Sequence, residues 1–95
     1  MKVIKIEEEN HGFIGVATSM KAAWQFIVHN GWLGFWDQVY IFDSWVNIGE
    51  LFDQNGWDQT NENLVDWAMN RGADEWDGLF YFAECEVYEE DEDNE

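Results

Sequence analysis

KVIKIEEENHGFIGVATSMKAAWQFIVHNGW, residues 2–32, changes its hydrophobic period once and stops once, and these two events set the fold. Residues 2–7 alternate, with Val3 set apart from Ile4 and Ile6, which is the period of a strand. Asn10-His11-Gly12 is a turn signal, and Phe13–Ala17 reads as the second strand of a hairpin. The period then becomes helical. Met20, Ala23, Trp24, Ile27 and Val28 fall at i, i+3, i+4, i+7 and i+8, with Lys21, Gln25 and His29 on the opposite side. Thr18 or Ser19 precedes this stripe and can accept hydrogen bonds from the free N–H groups of a first turn. Phe26 lies off the stripe and is a candidate for a second contact.

Asn30-Gly31-Trp32 marks where that helix stops. A helix commonly ends in one left-handed residue, and glycine takes that conformation without a Cβ clash. With Gly31 in that place, Trp32 is the residue that folds back on the last turn, toward Ile27 and Phe26. The triplet recurs as Asn55-Gly56-Trp57, where the same geometry aims Trp57 at Phe52 and Leu51. Apart from a preceding helix and an Asp-Gln soon after, its flanks do not repeat, so the triplet predicts two copies of one helix ending and not a duplicated binding motif.

Between the triplets, Gln38–Phe42 reads as a third strand. Asp43 or Ser44 is expected to cap a second helix carrying Trp45, Ile48, Leu51 and Phe52. A third helix is expected from about Thr60 to Arg71, with Leu64, Val65, Trp67, Ala68 and Met69 available for burial and Gly72 as its stop. Residues 73–78 read as a loop, and Leu79–Tyr88 as a long strand whose alternation slips once after Ala83. The order β-β-α-β-α-α-β predicts an α+β fold, with three helices packed on a mainly antiparallel sheet. Residues 1–88 are expected to form one compact domain, and residues 89–95 an acidic, disordered tail.

Charge is the most unusual property. The chain has 21 Asp and Glu against four Lys and Arg, a net −17. In residues 1–36, Glu7, Glu8 and Glu9 are balanced by Lys2, Lys5 and Lys21; from residue 37 onward the only cation is Arg71. Four cations cannot line a nucleic-acid groove, so direct nucleic-acid binding is disfavoured and a basic protein partner is favoured. Hydrophobic residues still make up 46% and aromatics 18%, enough for a core and in excess of what a core this small needs. Cys85 is the only cysteine, which excludes an internal disulfide. The first residues do not form a signal peptide, and no apolar run approaches a membrane span of ~20 residues. The expectation is a complete cytoplasmic protein.

Enzymatic signatures are absent: there is no GxGxxG, P-loop, GxSxG, HExxH or CxxC. Cys85 with His11 or His29 is the one nucleophile pairing on offer. Alternation of Cys85 with Glu84 and Glu86 reads instead as a small apolar residue in a strand, and His29 suits a helix C-terminus electrostatically. The run Asp53–Asp58 resembles a calcium loop only faintly, because the sixth position, which needs glycine, is Asp58. No metal, cofactor or catalytic residue is assigned.

The acidic surface is the functional candidate. Asp43, Glu50 and Asp53 fall along the second helix; Asp58, Glu62 and Asp66 are spaced i, i+4, i+8 and run up one side of the third if that helix begins early enough; Asp74, Glu75 and Asp77 crowd the following loop. A carboxylate at every turn, about 5.4 Å apart, is a sparser row than duplex phosphates at one charge per roughly 1.7 Å of axis. Two helices and a loop together can still imitate a phosphate patch and engage the Arg and Lys side chains that hold nucleic acid. The competing interpretation is a solvated face that confers solubility; the missing cations argue against it, because solvated helix faces normally interleave both signs. Trp36 and Trp76, in Gly- and Asp-flanked loops, are the aromatic contact candidates.

HGFIGVATSMKAAWQFIVHNGWL (11–33), a strand, acidic helices and FYFAECEVYEE (80–90) together resemble, in arrangement, small acidic proteins of phages and prophages of Gram-positive bacteria. Size, acidity and lack of catalytic residues are similar to anti-CRISPR proteins and other DNA mimics. That resemblance implies an inhibitor that binds a host defence nuclease such as Cas9 and blocks its DNA site. Enzymes of that type read a short duplex motif through Arg side chains, natural targets for carboxylates. The resemblance carries over no individual site residue.

Overall fold

The computed structural model describes residues 1–71 and 79–88. The elements are β1 (Lys2–Glu8), β2 (Gly12–Ala17), α1 (Met20–His29), β3 (Gln38–Ile41), β4 (Ser44–Asn47), α2 (Ile48–Asn55), α3 (Asn61–Arg71) and β5 (Phe80–Glu86). The class is α+β with antiparallel pairing throughout, and it contains one strand more than the sequence suggests.

β1 is the centre of a three-stranded sheet of order β2-β1-β5. Its alternation puts Ile4, Ile6 and Glu8 on one face. Ile6 is fully buried, and the β1–β2 register shifts between Ile6 and Glu7, where Ile14 is the extra residue. β5 pairs with β1 without a shift, from Lys2 opposite Glu86 to Glu8 opposite Phe80. The slip in hydrophobic phase after Ala83 is therefore not a bulge. The sheet simply runs beyond its core, so Glu84 and Glu86 occupy the face that Phe80 and Phe82 bury, and they meet Lys2 and the N-terminus there.

Ser19 caps α1, its Oγ accepting from the Ala22 N–H at 3.1 Å. The buried stripe is Ala23, Trp24, Ile27 and Val28, as the spacing predicts. Phe26 finds its second contact on β2: its ring lies 2.7 Å from where a Cβ on Gly15 would stand, so any larger residue there would push the ring aside. α1 packs on β1 and β2, and α3 packs on α1. Trp24 fills the middle, with ring centroids 5.3 Å from Phe82, 5.7 Å from Phe80 and 6.0 Å from Phe42. Its Nε1–H has no hydrogen-bond partner among the described residues.

Both triplets end their helices in the same way. Gly31 and Gly56 are left-handed, at φ 80° and 69°. The Trp32 N–H donates to the Ile27 carbonyl and the Trp57 N–H to the Phe52 carbonyl, each at 2.9 Å. The Gly31 and Gly56 N–H groups close the inner bonds, to Val28 and Asp53. Asparagine contributes a third bond that the sequence did not announce: Asn30 Nδ2 donates to the Phe26 carbonyl and Asn55 Nδ2 to the Leu51 carbonyl, at 2.9 and 2.8 Å. Each triplet thus satisfies three carbonyls that a helix end leaves free.

The correction to the expected fold lies between them. Asp43 and Ser44 do not cap a helix. Phe42 and Asp43, at φ 55° and 63°, are the two central residues of a tight turn joining β3 to β4, with Val39 opposite Val46 and Tyr40 opposite Trp45. Two positive φ values in a two-residue loop match the twist of a hairpin. The β-branched and aromatic residues on both sides favour the paired ladder over a helical first turn. α2 starts four residues later than Ser44, capped by Asn47, whose Oδ1 accepts from the Glu50 N–H at 3.0 Å. A left-handed Phe costs about 1–2 kcal/mol. The Phe42 ring offsets this by packing on Trp67 at 5.5 Å and Trp24, under the Arg71 guanidinium 5.5 Å from its centroid.

Candidate functional site

The predicted acidic residues separate into groups. Asp43 lies in the hairpin turn, away from α2. Glu50 is in the first turn of α2, where a negative charge suits the helix dipole, and Asp53 is exposed on the same helix. Asp58 precedes α3 instead of belonging to it. The helix is capped by Thr60, whose Oγ1 accepts from the Asn63 N–H at 3.1 Å, and it begins at Asn61. The predicted i, i+4, i+8 row is therefore shorter by one: Glu62 and Asp66 follow α3, and Asp58 stands in the loop. This loop is firmly built. The Asp58 carbonyl accepts from Asn63 Nδ2 at 3.0 Å, and Gln59 Nε2 reaches back to Asp53 Oδ1 at 3.0 Å. Asp74, Glu75, Asp77 and Trp76 lie outside the described residues, as does the tail 89–95.

Asp58 and Asp66 line one cleft. It holds about 710 Å3 between the end of α2 and the face of α3, with Leu51, Phe52, Trp57, Trp67 and Arg71 among its walls. A second groove, of about 340 Å3, runs between β4 and α2 and includes Trp45 and Glu50. Leu51, Trp67 and Arg71 line both, so the openings adjoin and share a wall. Indole faces beside carboxylates suit a guanidinium or ammonium group, which gains both cation–π and charge-assisted hydrogen bonding.

No protein-family model, curated protein or solved structure matches the chain.

Charge is also distributed unevenly in space. Lys2 meets Glu84, Lys5 meets Glu7, and the N-terminus meets Glu86, all on the three-stranded sheet. Among the described residues, Asp43, Glu50, Asp53, Asp58, Glu62 and Asp66 make no ion pair. Arg71 lines both openings beside Asp58, Asp66 and Glu50, and its guanidinium rests on Phe42.

Of the aromatic candidates, Trp36 is 80% exposed. Its ring lies over Gly34, in a turn closed by Asp37, whose carboxylate accepts from the Gly34 N–H at 2.7 Å. Sequence reasoning missed the exposed pair on the hairpin. Trp45 is 73% exposed and packs edge-on against Tyr40, with ring centroids 5.8 Å apart. The signal was available in VYIFDSWV: Tyr40 and Trp45, then Val39 and Val46, stand symmetrically about Phe42-Asp43. Trp57 is 44% exposed and lines the cleft while closing its helix, so a structural role does not remove it from the candidate site.

Among the described residues, Glu8 is the one acidic side chain that is largely enclosed. Its Oε1 accepts from the Asn10 and His11 N–H groups at 2.8 and 2.9 Å and lies 2.8 Å from His11 Nδ1. The His11 ring in turn meets Trp32 edge-on at 5.0 Å. This carboxylate holds the β1–β2 turn and docks it against the end of α1. Among the described residues, no helix is long and apolar enough to cross a membrane.

Proposed function

We propose that the chain is a non-enzymatic inhibitor that binds a basic, nucleic-acid-binding protein and occupies the site where nucleic acid would lie. The unneutralised carboxylates of the α2–α3 side carry this reading: Glu50, Asp53, Asp58, Glu62 and Asp66 stand on two capped helices and the hydrogen-bonded loop between them, with no ion pair among the described residues. Like charges held together destabilise a compact domain. Such an arrangement is useful when a partner supplies the missing cations. Carboxylates set on two helices and the loop between them substitute for phosphate oxygens in charge-assisted bonds to Arg and Lys. The partner that fits best is a host defence nuclease of the Cas9 type, which the inhibitor would meet in the bacterial cytoplasm. If so, nucleic acid and inhibitor exclude one another, and nuclease pre-loaded with target DNA resists inhibition.

Trp36 and the Tyr40–Trp45 pair favour a second reading, a protein-interaction module that binds through aromatics and uses its charge for solubility. Under that reading, truncating Trp36 or Trp45 weakens binding more than reversing the carboxylates does.

A further inference from the structure

The β4 strand has an open edge. Ile41 and Ser44 flank a two-residue turn and form the hydrogen-bonded pair that closes it. Alternation makes Tyr40–Trp45 the next pair, of the non-hydrogen-bonded kind, so the Trp45 N–H and C=O point away from β3. Among the described residues, β4 pairs with no other strand, and no other backbone group bonds to Trp45. The smaller groove runs along this edge. Ser44, Trp45, Val46 and Asn47 all line it, odd and even positions alike, whereas an opening over one face of a strand would take alternate residues only. Glu50, Leu51 and Gln54 of α2 line it as well.

We infer that this edge receives an extended segment of the partner by strand addition, with arginine or lysine at every second position. In such a pairing the main-chain bonds supply affinity, and side chains point alternately to the two faces. One set of side chains crosses the exposed indole of Trp45, where a cation gains from the ring face. The other set enters the groove toward Leu51. Glu50 in the groove and Asp43 in the turn provide the complementary charge and make no ion pair among the described residues, while Arg71, which also lines the groove, rests its guanidinium on the Phe42 ring. A second copy of this chain is a poor occupant, because each copy carries −17. The inference rests on the partner being basic, and it is independent of competition with nucleic acid.

The test uses the whole chain and a fluorescein-labelled peptide, Arg-Val-Arg-Val-Arg, with binding read by anisotropy. Four comparison peptides accompany it: Glu-Val-Glu-Val-Glu, the scrambled Arg-Arg-Arg-Val-Val, and two forms N-methylated on either the arginine or the valine amides. The alternating arginine peptide is expected to bind. Methylation of one set of amides should weaken it at least tenfold while methylation of the other set does not, because only one parity faces β4. W45A, whose side chain is mostly exposed, should weaken the same peptide by a similar factor, with an unchanged circular dichroism spectrum. Equal binding of the scrambled peptide, or equal effects of the two methylations, would overturn strand addition while leaving a basic partner in place. Failure of every arginine peptide to bind would overturn the basic partner as well. A concentration-dependent dimer abolished by W45A would assign the edge to a second copy and overturn the inference.

Discussion

The main-chain N–H of Trp57 donates to the Phe52 carbonyl at 2.9 Å, and the Trp57 indole packs edge-on against the Phe52 ring with centroids 5.3 Å apart. Phe52 is fully buried and also meets Phe35 and Trp67, so the end of α2 is tied to the core through one residue. Gly56→Ala should destabilise the fold by about 1–2 kcal/mol, the cost of a left-handed alanine, since nothing lies within 4 Å of the added methyl. Trp57→Ala should cost about 1–2 kcal/mol by loss of ring contact and half-buried area. Trp36→Ala, at a far more exposed ring, should stay within about 0.5 kcal/mol. Urea denaturation of the three variants checks the ranking.

At the hairpin turn the two left-handed residues should respond in opposite ways. Asp43 is exposed at φ 63°, so Asp43→Gly should stabilise the chain by about 0.5–1 kcal/mol. Phe42 pays a similar conformational cost, but its ring holds Trp24, Trp67 and Arg71. Phe42→Ala should therefore destabilise by about 2–3 kcal/mol, toward the low end for a Phe truncation because the ring is only part-buried. Thermal unfolding followed by circular dichroism distinguishes the two signs.

Glu8→Gln replaces an oxygen that receives three contacts with a group that can present an N–H to donors. The expected loss is about 1–3 kcal/mol, the range for leaving enclosed donors without a charged acceptor. The same variant should free the His11 ring from Trp32, visible as a change in the His11 ring proton shifts. Unchanged shifts and stability would contradict a structural role for this carboxylate.

The most legible parts of the sequence were those governed by local rules. The stripe from Met20 to Val28, its Ser19 cap and both Asn-Gly-Trp endings each follow from side chains acting on backbone within a few residues, and all are present in the structure. The hairpin was lost because Asp and Ser serve equally as caps and as turn residues. The deciding evidence, Tyr40 facing Trp45 and Val39 facing Val46, is a pairing relation that becomes visible only when both strands are considered together. The acidic surface was legible as composition, while the placement of its carboxylates was not. Asp58 and Asp66 converge on one cleft because the end of α2 comes beside α3, where Phe52 meets Trp67, and the i, i+4, i+8 spacing put Asp58 on the helix only if α3 began before Asn61.

Stability and binding should trade against each other at Asp66. It lies within α3 without an ion pair among the described residues, so Asp66→Lys relieves like-charge repulsion and should stabilise the free chain by up to about 0.5 kcal/mol at low salt. Glu62→Lys should not, since Glu62 sits in the first turn, where a negative charge is favoured. Both changes should weaken a basic partner's binding. Paired denaturation and binding measurements at two ionic strengths test this.

Mutual exclusion with nucleic acid is the central claim. The direct measurement is displacement of labelled target DNA from a purified Cas9–guide complex by the chain, across a range of salt, beside a variant in which Asp58, Glu62 and Asp66 are all lysine. The expected result is displacement by the natural chain that weakens as salt rises, with at least a hundredfold loss in the variant. Binding to the complex with DNA still in place, or displacement that the three reversals leave unchanged, would contradict it.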